Sequence, residues 1–179
     1  ALGQTENNIQ YYWSSHQRKL KLNQKPIRRL AEYLGTLQTV VFCMEDLHLI
    51  KGSAKSRRRF IDLLLTQTQP GYLGILHRYT ESLRSRNALL KRDSPDSSLL
   101  DSFTQELIST GKKLMIFRRQ LVEKISPLVR LGYRKIAPKM EDAKVEYKPS
   151  VREDFVIELN RSRERELRYR STIIGPHRD

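Results

Sequence analysis

A chain of 179 residues with 34 Lys and Arg against 20 Asp and Glu, a net charge of +14, can bury a real core and favours a polyanionic partner, chiefly nucleic acid. One cysteine, Cys43, excludes an internal disulfide framework and suits a reducing cytosol. No apolar run approaches the ~20 residues that span a bilayer, so a soluble cytoplasmic protein with no membrane partner is expected.

The first elements are strands. "NIQYYWSSHQRKLKLN" reads as Ile9–Trp13 and Arg18–Asn23 joined by a polar turn, with Leu20 and Leu22 alternating with Lys19 and Lys21 as in a sheet wet on one face. A two-stranded piece is marginal in water, so it needs a further partner. Pro26 is placed to start a short helix through Tyr33, closed by Gly35. Val40–Phe42 reads as a strand buried on both faces, and its apolar character stops at Glu45 and Asp46.

A helix follows from Ser53, a plausible N-cap, with Phe60, Leu63 and Leu64 at helical spacing. Its start carries Arg57, Arg58 and Arg59, although the first turn of a helix repels cations. Consecutive helical residues point about 100° apart, so the three cannot serve one patch. One is expected beside the apolar stripe, its head paired with Glu45, Asp46 or Asp62; the others face outward. Together with Lys51 and Lys55, the outward pair favoured here, Arg57 and Arg58, suits phosphate oxygens of DNA, which would offset the unfavourable placement. Solvated arginines costing a few tenths of a kcal/mol each are the plain alternative.

Two long helices come next. From Tyr72 to Arg92, Leu73, Leu76, Leu83 and Leu90 fall in steps of three and four with Thr80 and Asn87 in register. From Leu99 to Ile125, the repeat is Leu100, Phe103, Leu107, Leu114, Phe117, Leu121 and Ile125, with Gly111 in a small slot. "DSPDSS" between them makes an antiparallel hairpin, with Asn87 expected to fix its alignment and Pro127 to end or kink the return helix. Arg84, Arg86, Lys91 and Arg92 are secondary candidates for a DNA track along this arm. After Pro138, "AKVEYK" alternates like an exposed strand, Phe155 to Tyr169 suits a charged helix, and Thr172–Ile174 reads as a short strand ending at Gly175-Pro176. The class is α+β, mainly α: a β-containing segment at 1–50, a helical arm at 51–137 with its long hairpin at 72–126, and a return segment at 138–179. Both chain ends read as sheet without its neighbours, which suggests a piece of something larger. His16, His48, His77 and His177 have no metal spacing with one another or with Cys43, so no zinc site is expected.

"VVFCMEDLHLIKGSAKSRRRFID", "YLGILHRY", "SRNALLK" and the terminal "IIGPHRD" resemble, in order and spacing, the RecF family of bacterial DNA-repair ATPases. The resemblance implies a chain drawn from the middle of an ATPase with a helical arm inserted in its head. ATP and Mg²⁺ would belong to the whole protein, because no GxxxxGK followed by Ser or Thr occurs here, and tight binding by this chain alone is not expected. A loop after a buried strand in such heads presents a polar residue to Mg²⁺ and the attacking water. "FCMEDL" sits at the matching place, making Glu45 and Asp46 candidates, although this chain has Cys43-Met44 where the family usually has Ser-Pro. His177 and Arg178 of "GPHRD" are secondary candidates for nucleotide or DNA, against the plain reading of a turn. The family implies a recombination mediator at gapped, junction or single-stranded DNA, working as an ATP-dependent homodimer with partners that load a recombinase. A non-catalytic basic helical DNA-binding or protein-interaction module is the alternative.

Overall fold

In the computed structural model, residues 6–28, 36, 41, 43–137 and 141–179 are described. The architecture is α+β and mainly helical. The chain opens on a three-stranded antiparallel sheet of β1 (Ile9–Trp13), β2 (Arg18–Leu22) and β3 (Lys25–Pro26), in the order β1-β2-β3. The β1–β2 pair is as expected, Tyr11 opposite Leu20 and Tyr12 opposite Lys19. Pro26 does not open a helix. Asn23 and Gln24 both have positive φ, 50° and 67°, and form a two-residue turn whose twist suits a hairpin. Pro26 then pairs with Lys21 in the outermost strand, where its missing N–H is tolerated. The rest of the expected helix falls largely outside the described residues; of the strand expected at Val40–Phe42 only Val41 is described, in no strand and exposed rather than buried.

A short 3-10 turn at Met44–Leu47 and a single helical turn, α1 (His48–Lys51), lead into α2 (Ala54–Thr68). Ser53 is the N-cap of α2 by its extended backbone, without a side-chain hydrogen bond. Gly71, at φ 81°, turns the chain into α3 (Tyr72–Leu90), and α4 (Ser97–Ile136) returns antiparallel beside it. Asp96 caps α4 by accepting from the Leu99 amide at 3.0 Å. Pro127 does not end α4, which runs on to Ile136; at 1.5 Å per residue its 40 residues reach roughly 60 Å. The hairpin therefore extends beyond residue 126. Asp154 caps α5 (Phe155–Tyr169), whose limits are the expected ones, by accepting from the Val156 and Ile157 amides at 2.8 and 3.3 Å.

The main core gathers Leu65 of α2, Tyr72 and Tyr79 of α3, Leu107 and Leu114 of α4, and Val151, Phe155 and Leu159. A second cluster of Leu89, Leu90 and Leu100, with Phe103 against it, closes the far end of the hairpin. Gly111 is required here, since a Cβ would lie 2.6 Å from the Phe155 ring and 3.2 Å from that of Tyr79. The deepest face of α3 is Tyr72, Tyr79, Ser82, Arg86, Leu89 and Leu90; of the expected stripe only Leu90 is fully buried, and Thr80 is exposed. That shift follows from α5 and the C-terminal segment, which cover a second side of α3.

Two expected strands pair with no sheet. Ala143–Lys148 instead sends Tyr147 inward, its hydroxyl donating to the Asp179 carboxylate. At Thr172–Ile174 side chains take the place of a neighbouring strand. The Thr172 amide donates to Asn87 Oδ1 at 2.7 Å and the Ile173 amide to Glu166 Oε1 at 2.9 Å. Asn87 thus anchors the C-terminal segment rather than setting the alignment of the hairpin.

Candidate nucleic-acid interface

The cations before and within the first turns of α2 divide into two kinds. Lys51, Lys55, Arg57 and Arg59 are exposed, and Arg58 is half-buried. Arg57 Nη1 donates to the carbonyls of Gly52 at 3.0 Å and Leu49 at 3.4 Å, where α1 ends. Those carbonyls carry the negative end of the preceding turn, which offsets the repulsion from the start of α2. Arg58 Nη1 donates to the main-chain carbonyl of Asp179. It is the arginine with the buried stem, but its partner is not Glu45, Asp46 or Asp62. Each guanidinium has five N–H donors, so these bonds leave others outward. Among the described residues no carboxylate forms an ion pair with Lys51, Lys55, Arg57, Arg58 or Arg59.

Beneath this helix lies a buried ionic knot. Arg118 of α4, 4% exposed, grips the Asp62 carboxylate of α2 with Nε at 3.1 Å and Nη2 at 2.9 and 3.1 Å. Its Nη1 donates to the Pro176 carbonyl at 2.6 Å and to Asp179 Oδ2 at 3.3 Å. The Tyr72 hydroxyl donates to Asp62 Oδ1 at 2.6 Å, and the Ser150 amide to Asp179 Oδ1 at 2.8 Å. Burial opposes the Arg118 cation, yet Asp62 and Tyr72 outweigh it and raise its pKa. Burial, reinforced by Asp62 and Asp179, likewise raises the Tyr72 and Tyr147 hydroxyls, so both stay protonated donors. The knot ties α2, α3, α4 and the "GPHRD" segment together, and Arg58 joins it through Asp179.

A second knot lies farther along the arm. Arg86 donates through Nε to Thr104 Oγ1 at 2.8 Å, through Nη1 to Thr172 Oγ1 at 2.7 Å and through Nη2 to Glu166 Oε2 at 2.7 Å. Arg86 is 1% exposed, so it is a bridge between α3, α4 and α5 and not part of a DNA track. Arg84, Lys91 and Arg92 are exposed. Arg118 and Glu166 were missed by sequence reasoning. The available signal was an arginine in register with Leu114, Leu121 and Val122, where a solvated cation has no place.

His177 is turned inward. Its Nε2–H donates to the Thr172 carbonyl at 3.1 Å, so its Nδ1 accepts from the Tyr79 hydroxyl at 2.7 Å. Burial lowers its pKa from 6.5 to about 4 and keeps the ring neutral. Gly175, at φ 131°, lets the turn approach Tyr79, since a Cβ there would lie 2.8 Å from the hydroxyl. Arg178 is exposed and donates to the Thr172 carbonyl at 3.3 Å.

Glu45 and Asp46 lie on the 3-10 turn. Asp46 Oδ2 accepts from the Cys43 amide at 2.8 Å and so holds the turn. Glu45 is exposed; its own amide and the Cys43 side chain lower its pKa, and Glu45 in turn raises that of the Cys43 thiol. One ionised carboxylate of this kind suits a single contact to a hard cation or its water. Among the described residues no three His, Cys, Asp or Glu gather into a metal centre.

No protein-family model matches the chain. Curated relatives named DNA replication and repair protein RecF match nearly all of it. The sequence is 35% identical to that of Natranaerobius thermophilus over 190 residues, covering 96% of this chain and 49% of the relative. It is 37% identical to that of Geobacter metallireducens over 181 residues, again 96% and 49%. A solved structure described as the recombination mediator protein RecF-ATP in the RecFOR pathway matches with a TM-score of 0.82 at 27% identity, over 96% of this chain and 50% of that one. The chain thus spans about half the length of the relatives it matches.

Proposed function

Because this chain belongs to the RecF family, we propose that it is the arm-bearing part of an ATP-dependent, DNA-binding recombination mediator acting at gapped, junction or single-stranded DNA. The observation that carries the reading is the similarity of 96% of the chain to a RecF-ATP structure. In this proposal Lys51, Lys55 and Arg57 meet DNA phosphates, and Arg58 lends its outward donors while its inner one stays on Asp179. ATP and Mg²⁺ belong to the whole protein. Glu45 would offer its carboxylate to the cation or its water, while Asp46 holds the loop from behind. Nucleotide would join two copies around DNA, and mediator partners would use the resulting complex.

The full-length protein tests this. With ATP it should sediment as a dimer, and Glu45→Gln should slow hydrolysis about tenfold or more while DNA affinity holds. A protein that stays monomeric with ATP would leave the alternative of a non-catalytic basic module.

A further inference from the structure

Between Asn7 and Arg28 the chain carries five cations, Arg18, Lys19, Lys21, Lys25 and Arg28, and no carboxylate. The same segment displays three consecutive aromatic side chains, Tyr11, Tyr12 and Trp13, at 62%, 58% and 69% exposure. The strand register separates them. Ile9 faces Leu22, Tyr11 faces Leu20 and Trp13 faces Arg18, so these make the more apolar side, on which Ile9, Leu20 and Leu22 are half-buried. On the other side Gln10 faces Lys21 and Tyr12 faces Lys19, and all four are exposed. A shallow depression lined by Gln10, Tyr12, Gln17, Lys19 and Lys21 opens there and reaches round to Tyr11.

Tyr12 costs apolar exposure, and the lysines repel each other with no anion between them. Among the described residues neither lysine meets a carboxylate and the Tyr12 ring stacks on no other ring. Lys19 and Lys21, two residues apart on one strand, stand about 7 Å apart, the scale of one step in an extended polynucleotide.

We propose that this face is a contact site for single-stranded nucleic acid. The Tyr12 ring stacks on an unpaired base, Lys19 and Lys21 meet the flanking phosphates, and the Gln10 and Gln17 amides reach base or sugar edges. A duplex is a poor occupant, because its base faces are covered by neighbouring pairs. The site rests on the proposed function's premise that the protein works at DNA with unpaired stretches, and it lies on a different element from α2.

Anisotropy of labelled oligothymidylate and of a labelled duplex, titrated with the full-length protein in graded salt, tests it. Tyr12→Ala should weaken single-strand binding about tenfold and leave the duplex alone, while Tyr12→Phe binds normally. Lys19→Gln with Lys21→Gln should flatten the single-strand salt slope by about 1.4. Far-UV circular dichroism and the urea unfolding midpoint report that each variant is folded. Unchanged single-strand binding in the Tyr12→Ala and lysine variants overturns the site, and so does an equal loss on strand and duplex. Lys55→Ala with Arg57→Ala, run alongside, separates the two surfaces: failure there strikes the α2 interface and leaves the hairpin result standing.

Discussion

Arg118 meets two carboxylates, Asp62 at 2.9 Å and Asp179 at 3.3 Å, with 5% of its side chain exposed. Removing a partner from such a pair leaves a buried charge that neither water nor protein compensates. Arg118→Ala strands both carboxylates and the Pro176 carbonyl, so it should cost about 3–5 kcal/mol. Asp62→Asn leaves Arg118 its contact with Asp179 and should cost less, about 1–3 kcal/mol. Urea unfolding of the two variants checks the order; an Asp62→Asn loss as large as that of Arg118→Ala would place the weight of the knot on Asp62 instead. This scale was the hardest to read in advance. Arg86 carries the same charge as Arg84, and only the fold reveals that Glu166, 80 residues away, waits for it. Sequence periodicity marks the register of a residue but is silent on a partner from a distant segment. Glu45 and Asp46, adjacent in sequence, also take different places: one exposed, the other bonded to the Cys43 amide.

The elements show where local chemistry suffices. α5 keeps its expected limits because an Asp cap opens it and Arg170, in a left-handed conformation, closes it. The hairpin follows from its apolar repeat, although its deepest face on α3 is turned by what α5 adds. Pro26 opens no helix and Pro127 ends none. A positive-φ pair at Asn23-Gln24 drew Pro26 into a strand, and α4 continues past Pro127 to Ile136. Ala143–Lys148 has the alternation of a strand and Thr172–Ile174 its apolar run, but at Thr172 and Ile173 side chains of α3 and α5 supply the hydrogen bonds a sheet would have given. Gly111 belongs to this scale, since it sets how closely α4 meets α3 and α5. An added methyl normally helps a helix by about 1 kcal/mol. Here it would drive into Phe155 and Tyr79, and Gly111→Ala should instead destabilise by about 1–3 kcal/mol in denaturant unfolding. A stabilised variant would show that the two rings can move aside.

Across the whole molecule, two buried knots bind the arm to its return segment, and one cation near the start of α2 joins one of them. Arg58 is the link, half-buried and bonded to Asp179, while Lys51, Lys55 and Arg57 stay at the surface. Rigid support beneath a cationic surface reduces the ordering cost of gripping a polyanion. In the proposed reading Lys51, Lys55 and Arg57 supply nucleic-acid affinity, while Arg86 and Arg118 supply stability. The most direct measurement is the salt dependence of duplex binding by the full-length protein and by its Lys51→Ala, Lys55→Ala, Arg57→Ala triple variant. If each of the three neutralises one phosphate, the slope of log affinity against log salt should flatten by about 2.7, with the unfolding midpoint unchanged. An unaltered slope in a folded variant would contradict the assignment.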